Sequence, residues 1–144
     1  MTHELRKLIE VVSAVLPKQQ DILEIGSRQG KNQHKIANLR SLFRYRKYIG
    51  VDMRKGPGVD LVANAEKLPF PDISFSLVLC LETLEHSRQP WAIAGEIIRV
   101  LKTNGILFAS SQQNYPLHRH PSDYFRFTPY GFASLFPTLK DQLN

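Results

Sequence analysis

Apolar positions along the chain alternate between two rhythms. Short dense runs recur at intervals, and the stretches between them carry the longer period of an amphipathic helix. The first element is helical: Leu5, Leu8, Ile9, Val12, Val15 and Leu16 share one face over residues 3–16, and Pro17 stops it. Residues 22–25 form a dense run that carries one acid, Glu24, and closes on Gly26. A short loop, Gly30 and a helix-compatible segment follow, so this stretch reads as strand, tight turn and helix start. The helix is expected from Lys31 to about Phe43, with Ile36, Leu39, Leu42 and Phe43 inward. Residues 48–51 make a second strand that ends at Asp52, and Lys55-Gly56-Pro57-Gly58 makes a loop. A short third strand covers 59–63, and a loop with Pro69 covers 64–70. Residues 75–81 are apolar almost throughout, as in a central parallel strand buried on both faces. Pro90 opens a helix that runs through Leu101 and is ended by Asn104-Gly105, and 106–109 is a fifth strand. After a polar loop over 110–124, Thr128 and Pro129 open a last helix that Pro137 closes.

Strands alternating with helices imply a parallel sheet with right-handed crossovers. The expected fold class is therefore α/β, a Rossmann-like doubly wound parallel sheet. With no repeats or linkers, residues 1–144 read as a single domain whose leading helix lies within 1–17. No apolar run approaches the ~20 residues of a membrane span. The first residues carry acids and no small-residue cleavage site, so no signal peptide is expected and the location reads as cytoplasmic. Cys80 stands alone in an apolar run, which points to a buried thiol and not to a disulfide. The formal charge of +6 favours acidic partners. Much of the excess sits at Lys31, Lys35, Arg40, Arg44, Arg46 and Lys47 with no aromatic platform beside it, so it reads as a solvated basic face.

The turn after the first strand decides the candidate chemistry. It reads G-S-R-Q-G, which is neither the G-x-G-x-x-G of dinucleotide sites nor a phosphate-binding loop. Glu24 precedes its first glycine by two positions, a poor place for a carboxylate beside a pyrophosphate. It suits a ligand with a positive end, or it fixes the turn by accepting backbone N–H bonds. Asp52 ends the second strand, where a carboxylate accepts both hydroxyls of a ribose or simply caps a turn. Together the two acids suggest an adenosine whose other arm carries an amino acid and a sulfonium.

At this point the chain resembles the class I S-adenosylmethionine-dependent methyltransferases, in particular the type 11-like small-molecule branch, over roughly residues 20–136. Four blocks carry the resemblance in order: L-E-I-G-S-R-Q-G, Y-I-G-V-D, A-N-A-E-K-L-P-F-P-D-I-S-F-S-L-V and L-E-H-S-R-Q-P-W-A-I-A-G-E-I-I-R-V-L-K-T-N-G-I-L. The resemblance implies strand order 3-2-1-4-5, S-adenosylmethionine as cofactor and S-adenosylhomocysteine as product. It implies that Glu24, Gly26, Ser27 and Gly30 cradle the methionine part, with Arg28 on its carboxylate or crowding the loop. Asp52 would hold the ribose, Met53 would lie against the adenine, Ala65 and Glu66 would approach its edge, and Leu81 would line the cleft. Arg28 stands where the family usually has glycine, and Asn64 where it usually has an acid. The family sheet closes with two more strands, for which no sequence remains after the last helix, so the expectation is a sheet lacking them. Strand five would then be an edge, and bare edges invite another chain: a homodimer or a protein partner covering it is expected.

Residues 114–127 read N-Y-P-L-H-R-H-P-S-D-Y-F-R-F and follow strand five at the ligand-binding edge of such sheets. Three readings stay open. His118, His120 and Asp123 form a loose metal set; or His120 is a base with Tyr124 and Arg126 as acceptor contacts; or the segment is a lid with Tyr124, Phe125 and Phe127 packed on the sheet. His86, just past strand four, faces the same edge as a catalytic candidate or a hydrogen-bonded cap. The catalytic candidates are thus His86, His120 and Tyr124, and no metal is assigned. The expected function is methyl transfer to a small-molecule acceptor. The alternative is a catalytically inactive cofactor-binding or partner subunit of the same fold. Nucleic acid as acceptor rests on charge alone, and the N-P-P-Y type of motif of many base methyltransferases is absent at Cys80-Leu81-Glu82-Thr83.

Overall fold

The computed structural model describes residues 1–16, 21–31, 33–44, 46–118 and 122–139. The chain runs α1 (His3–Val15), β1 (Asp21–Ile25), α2 (His34–Ala37), β2 (Lys47–Asp52), β3 (Leu61–Val62), β4 (Phe75–Leu81), α3 (Pro90–Val100), β5 (Leu101–Ser110) and α4 (Pro129–Ala133), with single 3-10 turns at Arg40–Leu42 and Leu84–His86. The strands form one parallel sheet in the order β3-β2-β1-β4-β5.

Strand alternation divides the core into two layers. Ile22, Leu77 and Leu79 face one side, where Ile9 of α1, Leu39, Phe43 and Tyr48 cover them. Leu23, Ile25, Val78 and Cys80 face the other, under Ile93, Ala94 and Ile97 of α3 and Phe136 after α4. Cys80 is fully buried and its thiol is pushed up to about 12 by desolvation, which makes it inert.

Four expected elements differ, one of them the last helix, which ends at Ala133 and not at Pro137. The helix expected over 31–43 is only α2 and a separate 3-10 turn. The Arg6 guanidinium takes the carbonyls of Ile36 (2.8 Å) and Asn38 (3.0 Å), which a continued helix would need for itself. The third strand is two residues long, shorter than 59–63. Asn104-Gly105 does not end α3: the helix stops at Val100, and Asn104, at φ 61°, forms a bulge inside a strand that begins at Leu101.

Two of these basic residues, Arg40 and Arg46, serve the fold. Arg40 pairs with Asp60, donates to the Tyr48 carbonyl (3.1 Å) and lies over the Tyr48 ring. Arg46 donates to the carbonyls of Ser13 and Leu16 and covers the Phe43 ring. These contacts tie α1 and the loop before β2 to the sheet, while Lys31, Lys35, Arg44 and Lys47 are exposed, as expected of a solvated face.

Candidate functional site

At the carboxyl ends of β1, β2 and β4 the sheet opens into a cavity of about 580 Å³. β1 lies between β2 and β4, which connect to it in opposite directions along the sheet. This is the topological switch point at which doubly wound sheets bind ligands.

Glu24 projects from β1 into this cavity, 8% exposed, and accepts a hydrogen bond from the Tyr48 hydroxyl (2.7 Å). Burial pushes its carboxyl up to about 7, and the Tyr48 hydrogen bond and Arg40 oppose that rise only in part. The hydroxyl, not a turn amide, is thus its partner. Gly26 turns the chain at φ 77°, and a Cβ there would strike the Thr83 hydroxyl. The amides of Gly26 (2.9 Å) and Ser27 (3.1 Å) both donate to the Val51 carbonyl, so they bind β1 to β2 and do not present themselves to a ligand. Ser27 lines the cavity, and its buried Oγ, packed beside Gly50 of β2, has no hydrogen-bond partner among the described residues.

Asp52 accepts from the amides of Arg54 (2.9 Å) and Arg28 (3.3 Å), so one carboxylate joins the β1 and β2 turns at the cavity wall. Asp52 thus caps a turn, one of its two sequence readings, and it lines the cavity. Arg28 is exposed and its Nε donates to the Lys55 carbonyl (3.4 Å), so it borders the cavity without crowding it. Gly30, Met53 (69% exposed), Ala65, Glu66 and Leu81 line the same space. Glu66 Oε1 accepts from Ser87 Oγ (2.8 Å), and Asn64 Oδ1 accepts from the Glu66 amide (2.9 Å), which caps the turn.

On the opposite wall stand His86, His118 and Tyr124. His86 Nδ1 donates to the Ser122 carbonyl (2.5 Å). Tyr124 accepts from Arg88 Nε (2.9 Å); hydrogen bonding to Ser122 and then to Arg88 holds its phenol below the ordinary value. His120 lies outside the described residues. Arg126 is not an acceptor contact: its fork holds Asp123 (2.5 and 2.6 Å) and it also donates to the carbonyls of Tyr115 and Pro116, which folds the loop on itself. Asp123 is correspondingly held well below the usual carboxylate range and is taken by Arg126, not offered to a metal. Of the three residues of the lid reading, Phe127 packs against the core and stacks with Phe125 at 5.8 Å, Phe125 meets Trp91 of α3, and Tyr124 is exposed. Thr83, Gln112 and Tyr115 also line the cavity and were not singled out. They lie in irregular segments, where no periodicity marks the inward side.

A family model described as a methyltransferase domain matches residues 23–109, more than half of the chain. The chain belongs to the methyltransferase-domain family. Solved structures agree on the fold. This methyltransferase-family chain matches the Burkholderia thailandensis 1,6-didemethyltoxoflavin-N1-methyltransferase, solved with its acceptor and S-adenosylhomocysteine, at TM-score 0.72 and 17% identity, over 94% of this chain and 66% of that one. It matches the 4+2 cyclase SpnF at TM-score 0.70 and 19% identity, over 92% of this chain and 56% of that one. A Haloferax volcanii structure, the complex of a methyltransferase with its Trm112 activator, matches at TM-score 0.65 and 21% identity, over 93% and 68%. At these identities the likeness is one of fold. The methyltransferase-family chain spans between 56% and 68% of these structures. A comparison with curated proteins finds no match. No helix among the described residues is long and apolar enough to cross a membrane.

Proposed function

We propose that the chain binds S-adenosylmethionine in this cavity and transfers its methyl group to a small-molecule acceptor. The observation that carries the reading is the pair of acids at the switch point. Glu24 is a buried carboxylate with a hydroxyl as its partner, and Asp52 sits on the adjacent strand end, both facing one cavity.

When bound, the cofactor supplies an electrophilic methyl on a sulfonium. Glu24 fits its ammonium and Asp52 its ribose hydroxyls; Met53, Ala65 and Glu66 fit the adenine side, and Gly26, Ser27, Arg28, Gly30 and Leu81 the remainder. The chain's own contribution is positioning, which by itself lowers a barrier by several kcal/mol. His86 and Tyr124 face the cavity from the opposite wall, where a proton leaving an acceptor hydroxyl or amine would be taken up. The neighbour solved with a small acceptor and S-adenosylhomocysteine supports this reading.

One observation favours a second reading, in which the fold holds a ligand without transferring a methyl group: the neighbour SpnF shares the fold and is described as a cyclase. Calorimetric titration with S-adenosylmethionine and S-adenosylhomocysteine tests the site, with Asp52→Ala beside the native chain. Micromolar binding weakened at least about tenfold in the variant is the expected result, the loss of one charged hydrogen-bonding partner. A folded chain that binds neither ligand removes the methyltransferase reading.

A further inference from the structure

Past β4 the chain turns through the 3-10 segment Leu84–His86, and the loop after β5 folds back over it. The amides of Tyr124 (2.8 Å) and Phe125 (3.3 Å) both donate to the Glu85 carbonyl, so main-chain bonds hold the two segments together. The closure brings donor atoms of Glu85, His86 and His118 within 4.8 Å of one another. Three donors about 2.1 Å from one ion lie roughly 3–4 Å apart, so side-chain shifts of under about 1 Å would complete the set.

Glu85 is fully buried, which is unusual for a carboxylate; the Arg126 guanidinium interacts with it only through space. Glu85 Oε2 accepts from Ser111 Oγ (2.8 Å), while Oε1 has no hydrogen-bond partner among the described residues. A carboxylate oxygen left so in a protein interior is costly, and a cation removes that cost.

Each imidazole has its Nδ1 against an acceptor oxygen. His86 Nδ1 faces the Ser122 carbonyl at 2.5 Å, and a carbonyl only accepts, so Nδ1 carries the hydrogen. His118 Nδ1 faces Asp123 Oδ2 at 3.1 Å, and the Arg126 fork keeps that carboxylate ionised. In the neutral form of each ring the lone pair therefore sits on Nε2. An outer carbonyl or carboxylate that fixes the tautomer in this way is the usual support of a metal-bound histidine.

We propose that Glu85, His86 and His118 form a binding site for a divalent transition cation of the Zn2+ or Mn2+ type. Two imidazoles and one carboxylate suit such ions better than Mg2+ or Ca2+, which favour all-oxygen shells. Three protein donors leave a coordination position open, and His86 and His118 both line the cavity, so that position faces the space assigned to the acceptor. An oxygen donor, water or an acceptor hydroxyl, would fill it. None of the residues assigned to the cofactor takes part, and with His86 as a ligand the group left to take up the acceptor's proton is Tyr124.

Calorimetric titration of the chelator-treated chain with zinc chloride, and separately with manganese chloride, tests the site in the native chain, Glu85→Gln and His118→Ala. One ion per chain is expected, with affinity lowered about tenfold or more in each variant. Melts followed by circular dichroism identify any variant that does not fold; should Glu85→Gln fail, the half-buried His118→Ala decides. S-adenosylhomocysteine binding is measured in parallel, so loss of the metal site and loss of the cofactor site are read separately. A folded native chain that takes up neither ion, or a folded His118→Ala chain that binds as tightly as the native one, overturns the proposal.

Discussion

Glu24 is the residue whose chemistry is most tightly bound to its place. Its carboxyl is raised from 4.5 to about 7 by burial, so the folded chain holds a proton that the unfolded chain releases near pH 4.5. The sign follows from linkage: the associated stability is fully present below about pH 4.5 and is lost as pH rises through about 7. The span amounts to roughly 3 kcal/mol. Urea melts between pH 5 and 8 should show this fall, and Glu24→Gln should flatten it. A ligand ammonium favours the ionised form, so S-adenosylhomocysteine should bind about tenfold more tightly at pH 8 than at pH 6. Equal affinity at both pH values would mean that Glu24 does not meet the ligand's charge. Gly26 poses a steric test instead. Gly26→Ala places a Cβ against Thr83 at a positive φ, and should cost about 1–3 kcal/mol in denaturant unfolding. The acids and the glycine were legible in the sequence because strand ends are legible. Tyr48 as the partner of Glu24 was not, since that pairing depends on the register of β1 against β2.

At the scale of elements, the strands and α3 followed from their patterns because both are held by apolar contact that recurs with a period. The departures came where a polar contact from elsewhere intervened. α2 is short because Arg6, from α1, takes its carbonyls. Asn104-Gly105 has the composition of a helix stop, yet the hydrogen bonds of β4 draw Leu101 into β5 and leave Asn104 as a bulge. Asparagine tolerates that left-handed conformation and a β-branched residue does not. Asn104→Val should therefore lower stability by about 1–2 kcal/mol in urea unfolding, with little change in the cavity. An unchanged midpoint would show that the bulge relaxes freely.

At the scale of the molecule, β5 is the edge of the sheet among the described residues, and its side chains are mostly half-buried. We propose that a second copy or a protein partner covers this edge; the Haloferax neighbour was solved as a complex with an activator. Sedimentation velocity across a hundredfold concentration range checks the first form: a shift toward dimer is expected, and a clean monomer at the highest concentration counts against it. The sequence by itself determined the alternation of strands and helices, the two acids and the glycine turn, and its resemblance to a family supplied the strand order, because right-handed crossovers give a parallel sheet but leave more than one order open. Only the tertiary structure decided that the arginines serve as staples, that Arg126 holds its own loop, and that Glu85, His86 and His118 meet. Those contacts join residues far apart in sequence through irregular segments, where no local period records which side chains face one another.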